Sequence, residues 1–236
     1  MIRTLREEEQ LKFDGLVEVI RDTAKHNLSL YFTINGDDTP NFTNYLEVIE
    51  YGNLQALVKT SKFFSGLIRS GKSLIDWLNQ KHVEPLHSGN IHQFEGGILD
   101  ELYQAGAPVP ERIYTSVEDV LIVKYYKGES TKKVLRNDLR YRDILLKLSY
   151  GLAQIHQFGL HMQPSTNNTF VFEGNGYWSD FETFSMNNGI KERANELSKF
   201  IKSAARHSYR DIDAIKGIVF EGYQDSKVVD LARNLL

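Results

Sequence analysis

The sequence predicts an α+β fold in two lobes, a β-rich N-lobe followed by a reduced, α-rich C-lobe. Three observations point to it. Strand-like runs dominate the first half, in "LSLYFTI" (28–34), "YLEVIEYGNLQALVKTS" (45–61) and "DVLIVKYYKGE" (119–129). Helical periodicity dominates the second half. It is strongest in "YRDILLKLSYGLAQIHQFG" (141–159), where Ile144, Leu145, Leu148, Leu152, Ile155 and His156 recur at helical spacing and Gly159 supplies a stop. A hairpin of "TFVFE" (169–173) and "YWSDF" (177–181), turning at "GNG", lies embedded among those helices. With 236 residues, 41% hydrophobic and 25% charged, the chain can bury a sizeable core and does not read as disordered.

The remaining elements follow in chain order. Residues 5–27 carry Leu11, Phe13, Leu16, Val17, Val19 and Ile20 mixed with charge, which predicts a helix. "NGDDTPN" (35–41) is a turn cluster, and residues 45–61 read as two strands hinged near Gly52 and Asn53. "KSLIDWLNQKH" (72–82) predicts a short helix. "QFEGGILDELYQAG" (93–106) predicts another, with Phe94, Ile98, Leu99 and Leu102 on one face and Gly106 as its stop. "APVPERIYTS" (107–116) reads as an extended connector, and 191–207 and 223–236 as helices. The expected division is an N-lobe over 1–123, a hinge over 124–129 and a C-lobe over 130–236.

Composition removes several function classes. A net charge of −3 gives no electrostatic footprint for nucleic acid. The absence of cysteine excludes disulfides and thiolate metal sites. The charged start "MIRTLREEEQLKFDGL" has no apolar core of a leader, and no run approaches the roughly 18 apolar residues of a spanning helix. The expectation is a cytoplasmic protein without a transmembrane segment, with peripheral contact at the inner membrane face left open.

One set of residues carries recognisable chemistry. Phosphoryl transfer from ATP needs a lysine for the phosphates and a glutamate to orient it. It also needs an aspartate and an asparagine for Mg²⁺, and a carboxylate facing the attacking hydroxyl. Here "ALVK" ends at Lys59 on the second strand of a hairpin, and Glu95 opens the next clear helix. Asn168 lies five positions beyond Gln163 in "HMQPSTNNTFVF", and Asp180 closes the following hairpin in "SDFE". A hairpin with its ends together would set Asn168 beside Asp180, two hard oxygen donors.

These stretches resemble the protein-kinase-like superfamily, in the atypical branch that includes lipopolysaccharide core and Kdo kinases, RIO-type kinases and aminoglycoside-type phosphotransferases. "EGGILDELYQAGAPVPERI" resembles the helix bearing the ion-pair glutamate and its connector. "LIVKYYKGES" resembles the strand entering the hinge, and "LAQIHQFGLHMQPSTNNTFVFEGNGYWSDFE" the catalytic loop with its metal-binding hairpin. The resemblance implies ATP and Mg²⁺ as cofactors. It implies Lys59, Glu95, Gly52, Lys124 and Tyr125 at the nucleotide, Asn168 and Asp180 at the metal, and His161 and Gln163 in the catalytic loop. It also implies a small-molecule or glycolipid acceptor. The departures are specific: H-M-Q stands for H-G-D, D-F-E for D-F-G, Gly52 is alone in its loop, and no A-P-E follows Asp180. An amide cannot take a proton at neutral pH, so a pseudokinase is the alternative.

Each residue also has a plainer reading. Lys59 could be a surface lysine at a strand end, and Glu95 a first-turn glutamate favoured by the helix dipole. Asn168 and Asp180 could be turn formers. His156 reads as a satisfied core histidine, His161 as structural, and Tyr125 and Tyr126 as packing residues. "GLIRSGKS" (66–73) matches the P-loop pattern without the strand that should precede it. The basic run Lys59, Lys62, Arg69 and Lys72 could face lipid headgroups or a phosphorylated sugar.

Overall fold

The computed structural model describes residues 44–51, 54–61, 91–115, 120–137, 139–179, 181 and 189–236. The helix expected over 5–27, the strand over 28–34, the turn over 35–41, the P-loop-like 66–73 and the helix over 72–82 lie outside the described residues, as do Gly52 and Asp180.

β1 (Asn44–Tyr51) and β2 (Leu54–Ser61) pair antiparallel, in register from Asn44↔Ser61 to Tyr51↔Leu54. β2 pairs on its other side with β4 (Val120–Lys124), and β4 with β3 (Arg112–Thr115), giving the antiparallel order β1-β2-β4-β3. The expected connector 107–116 therefore contains a strand. Pro108 and Pro110 mask it in the sequence, and β4 recruits "RIYT" by pairing. α1 (Ile91–Gln104) packs on β3 and β4 with Leu99 and Leu102 buried. It stops at Gly106, whose φ of 80° lets Ala107 N donate back to Leu102 O at 2.9 Å.

Beyond β4, residues 125–128 lead to β5 (Glu129–Ser130) and α2 (Thr131–Asn137). α3 (Tyr141–Gln157) is the central helix, with Ile144, Leu145, Leu148, Leu152 and Ile155 all at 0% exposure. β5, β6 (Thr169–Phe172) and β7 (Asn175–Trp178) form a second antiparallel sheet. The hairpin turns at Glu173 (φ 49°) and Gly174 (φ 73°), not at 174–176 as expected. Positive φ at both central residues gives the twist a two-residue hairpin needs, and Glu173 adopts it despite its side chain.

α4 (Ile190–Ser208), α5 (Ile212–Tyr223) and α6 (Ser226–Arg233) complete the chain. The helix expected over 223–236 is in fact α6, starting at the Asp225 cap, whose carboxylate accepts from Lys227 N and Val228 N. α5 escapes the sequence pattern because Gly217 and Gly222 lower its helix propensity. Gly222 has a packing reason: a Cβ there would lie 2.6 Å from Leu146 O and 2.8 Å from Ser149 Cβ, so its absence lets α5 rest on α3.

A second small-residue contact joins the first sheet's side to the helices. A Cβ on Gly151 of α3 would lie 2.4 Å from Pro108 Cγ and 3.2 Å from Trp178 Cδ1. The connector after α1 seats in that notch, and Pro108 O accepts from Trp178 N at 2.8 Å. Trp178, fully buried, also donates Nε1–H to Leu148 O at 2.9 Å.

Candidate functional site

β2 is an interior strand, and Lys59 stands opposite Leu46 of β1 and Leu121 of β4. On α1, Glu95, Leu99 and Leu102 share the buried stripe. A carboxylate at such a place is costly unless paired. Lys59 Nζ meets it at 2.9 Å to Oε1 and 3.1 Å to Oε2, with Lys59 9% and Glu95 2% exposed. The backbone N–H of Phe181 donates to the same Oε1 at 3.2 Å. Both plain readings fall here. Lys59 is buried, and Glu95 lies one turn inside a helix that begins at Ile91 and has no acid in its first turn. The expectation that Glu95 opens its helix is corrected by the same fact.

The loop after α3 is built by its own polar side chains. Ser165 caps a single 3-10 turn (Thr166–Asn168), accepting from Asn167 N at 3.2 Å, while its carbonyl accepts from Asn168 N at 2.9 Å. Asn168 Nδ2 donates across the loop to Gln163 O at 3.3 Å. Ser179 N donates to Asn168 O at 2.8 Å, extending the β6–β7 ladder one step past Thr169↔Trp178. Asn168 is thus tied to the residue that precedes Asp180, whose own side chain lies outside the described residues. The Gln163 side chain is exposed.

One face of α4 holds both ends of this loop. Glu196, fully buried, places Oε1 3.0 Å from His161 Nδ1 and Oε2 2.8 Å from His156 Nε2. His156 Nδ1 lies 2.6 Å from the Tyr223 hydroxyl, which assigns Nε2–H to the carboxylate and Nδ1 as the acceptor from Tyr223. At the far end, Ser203 Oγ lies 3.1 Å from both Ser165 Oγ and Thr166 Oγ1, and Thr166 Oγ1 lies 2.5 Å from His207 Nδ1. Burial holds His156 below the ordinary histidine value, outweighing the pull of Glu196. Burial pushes Glu196 up, but the hydrogen bond with His156 and the close approach of His161 more than offset it and leave the carboxyl low. Desolvation raises the Tyr223 phenol. The pair is therefore a neutral imidazole against an ionised carboxylate.

Glu196, Ser203 and His207 were not singled out in the sequence. A signal for Glu196 exists: it falls one turn before Phe200 on a stripe otherwise formed by Ala194, Leu197, Ile201 and Ala204. An acid on an apolar stripe asks for a buried partner.

Lys124 and Tyr125 mark the exit from β4. Lys124 is exposed, ion-paired with Glu111 at 3.4 Å and 5.7 Å from the Tyr126 ring centre. Tyr125 is half-buried. Tyr126 packs on the outward face of the β6–β7 hairpin, against Phe170 (5.9 Å), Phe172 (5.2 Å) and Tyr177 (5.1 Å). Burial pushes its phenol up to about 12. Among the described residues no group of three acidic or histidine side chains is arranged to hold a metal, and no helix is long and apolar enough to cross a membrane.

No family model and no curated protein matches the chain. Solved structures do. WaaP in complex with acyl carrier protein superposes with a TM-score of 0.59 at 10% identity, over 98% of this chain and 92% of that one. The Rio2 kinase from Chaetomium thermophilum superposes with a TM-score of 0.56 at 12% identity, over 94% and 77%. At such identities the likeness speaks for architecture alone, and in architecture the chain is a protein-kinase-like fold.

Proposed function

We propose that the chain binds ATP with Mg²⁺ in a cleft between the β1-β2-β4-β3 sheet and the helical half, with residues 124–129 as the hinge. The observation that carries this reading is the buried Lys59–Glu95 pair, joined through Glu95 Oε1 to Phe181 N. A buried lysine held by two carboxylate oxygens is a fixed cation, which is what a phosphate chain requires. In the proposed site Lys59 meets the phosphates, Glu95 orients Lys59, and Asn168 with Asp180 supplies oxygen donors to Mg²⁺. The donors fit a hard cation: an amide oxygen and a carboxylate, with Asn168 Nδ2 turned toward Gln163 O and its oxygen therefore turned away. Mg²⁺ would neutralise phosphate charge. The acceptor class that suits the missing A-P-E segment is a carbohydrate or lipid-linked sugar.

A second reading, a pseudokinase, has its own observation. Gln163 stands exposed at the loop position where a carboxylate would face an acceptor, and an amide there orients a hydroxyl without taking its proton.

Thermal unfolding with Mg-ATP tests the binding claim. A rise in Tm that disappears in Asp180→Ala supports it, and no shift at saturating nucleotide overturns it. Turnover on a panel of sugar and glycolipid acceptors then separates the two readings. Activity in the native chain supports the kinase, whereas activity that appears only in Gln163→Asp supports the pseudokinase.

A further inference from the structure

Burial alternates along the start of the loop that follows α3. Leu160, Met162 and Pro164 are buried, while His161, Gln163 and Ser165 lie on the other side of the chain. A period of two belongs to extended backbone, and Ser165 is extended at φ −145° and ψ 150°. His161 therefore stands on the same side as Gln163, about 7 Å along the chain.

A buried carboxylate backs the His161 ring. Its Nδ1 lies 3.0 Å from Glu196 Oε1 and is itself buried, whereas the side chain as a whole is 30% exposed. The exposed part of the ring is the edge away from Glu196, which carries Nε2. Two lone pairs facing each other across 3.0 Å would repel, so Nδ1 carries the ring proton and Nε2 keeps an open lone pair. His156 shows what a purely packed partner of Glu196 looks like: it is 2% exposed, with one nitrogen on Glu196 and the other on Tyr223. The titratable and charged groups around the pair are His156 of α3, Tyr223 of α5 and Arg193 of α4. His156 and Tyr223 are neutral and Arg193 is matched by Asp225 at 3.5 Å, so the charge behind His161 is that of Glu196.

An anion behind one nitrogen and an open lone pair on the other make an imidazole a general base. We propose, on the footing of the ATP site above, that His161 takes the acceptor proton that Gln163 cannot, with Glu196 as its positioning residue. The acceptor oxygen bonds the terminal phosphorus of ATP while the bond from that phosphorus to the bridging oxygen breaks, and ADP keeps that electron pair. The acceptor's proton passes to His161 Nε2. The imidazolium rests against the Glu196 carboxylate and then releases the proton to solvent.

Two measurements on the full chain test this. Long-range proton–nitrogen NMR of protein labelled in its histidines reads the tautomer of each ring without nucleotide, the His161 signals being those lost in His161→Gln. His161 is expected to carry its proton on Nδ1. A proton on Nε2 overturns the proposal and leaves the ATP site standing. ADP release from Mg-ATP, with water as acceptor, is then followed against pH. Its kcat should fall on the acid side as His161 takes up a proton. His161→Gln should abolish that acid limb and lower kcat about 100-fold or more, while the rise in Tm with Mg-ATP stays as in the native chain. Glu196→Gln should move the acid limb to lower pH, which loosening of the loop alone would not do. Native rates or a surviving acid limb in His161→Gln overturn the proposal, as does Mg-ATP binding without any release of ADP. Absence of a Tm shift in the native chain overturns the ATP site, and the proton transfer with it.

Discussion

Glu95 Oε1 receives two donors from opposite sides of the molecule: Lys59 Nζ from the sheet at 2.9 Å and Phe181 N from the segment after the hairpin at 3.2 Å. One carboxylate therefore registers the sheet, α1 and the end of the hairpin against each other. Its charge is satisfied only while all three stay in place.

Removing one partner leaves the other charged and buried. Glu95→Leu or Lys59→Met is expected to cost about 3–5 kcal/mol, read from urea unfolding. The double variant Lys59→Met with Glu95→Leu should recover much of that loss. Simple addition of the two single effects in a double-mutant cycle would show that the pair is not coupled.

The His156–Glu196 pair predicts how stability responds to acid. His156 is held below its ordinary 6.5 in the folded chain, so below that pH the unfolded chain takes up a proton that the folded chain refuses. Stability should fall as pH drops through about 6.5 and onward to the folded value of His156. Glu196, held below its ordinary 4.5, adds a second decline below that pH. Urea midpoints between roughly pH 8 and pH 3 check this, and Glu196→Gln should remove the second decline.

Three helical glycines should respond to alanine with opposite signs. At Gly217 a Cβ meets nothing within 4 Å, so Gly217→Ala should stabilise by up to about 1 kcal/mol through helix propensity. At Gly151 the new methyl meets the Pro108 ring, and at Gly222 it meets the Leu146 carbonyl. Both should destabilise by about 1–3 kcal/mol despite the better propensity. Thermal melts of the three variants give the order directly.

How much of this was visible in the sequence depends on the range of the interaction. The β1–β2 hairpin, α1, α3 and the β6–β7 hairpin are legible because their periodicities are local. β3 is not, because its pairing with β4 decides it across two prolines. α5 is not, because glycine is there for packing against α3 and reads locally as a break. At the site, Lys59, Glu95, Gln163 and Asn168 could be named from order and spacing. Glu196 and His207 could not, because acids and histidines along an amphipathic helix ordinarily face water. Only the loop folded against α4 shows which of them do not.

The β6–β7 hairpin works as a ruler. Its register runs without a slip from Phe172↔Asn175 to Thr169↔Trp178 and continues through the Ser179–Asn168 bond. Gly176 and Trp178 face inward on β7, and Tyr177 faces outward between them. One residue gained or lost between 168 and 179 would turn every one of those side chains over and lift the indole from Leu148. Across that interval evolution is free to change letters, above all on the outward aromatic face, but it is not free to change length.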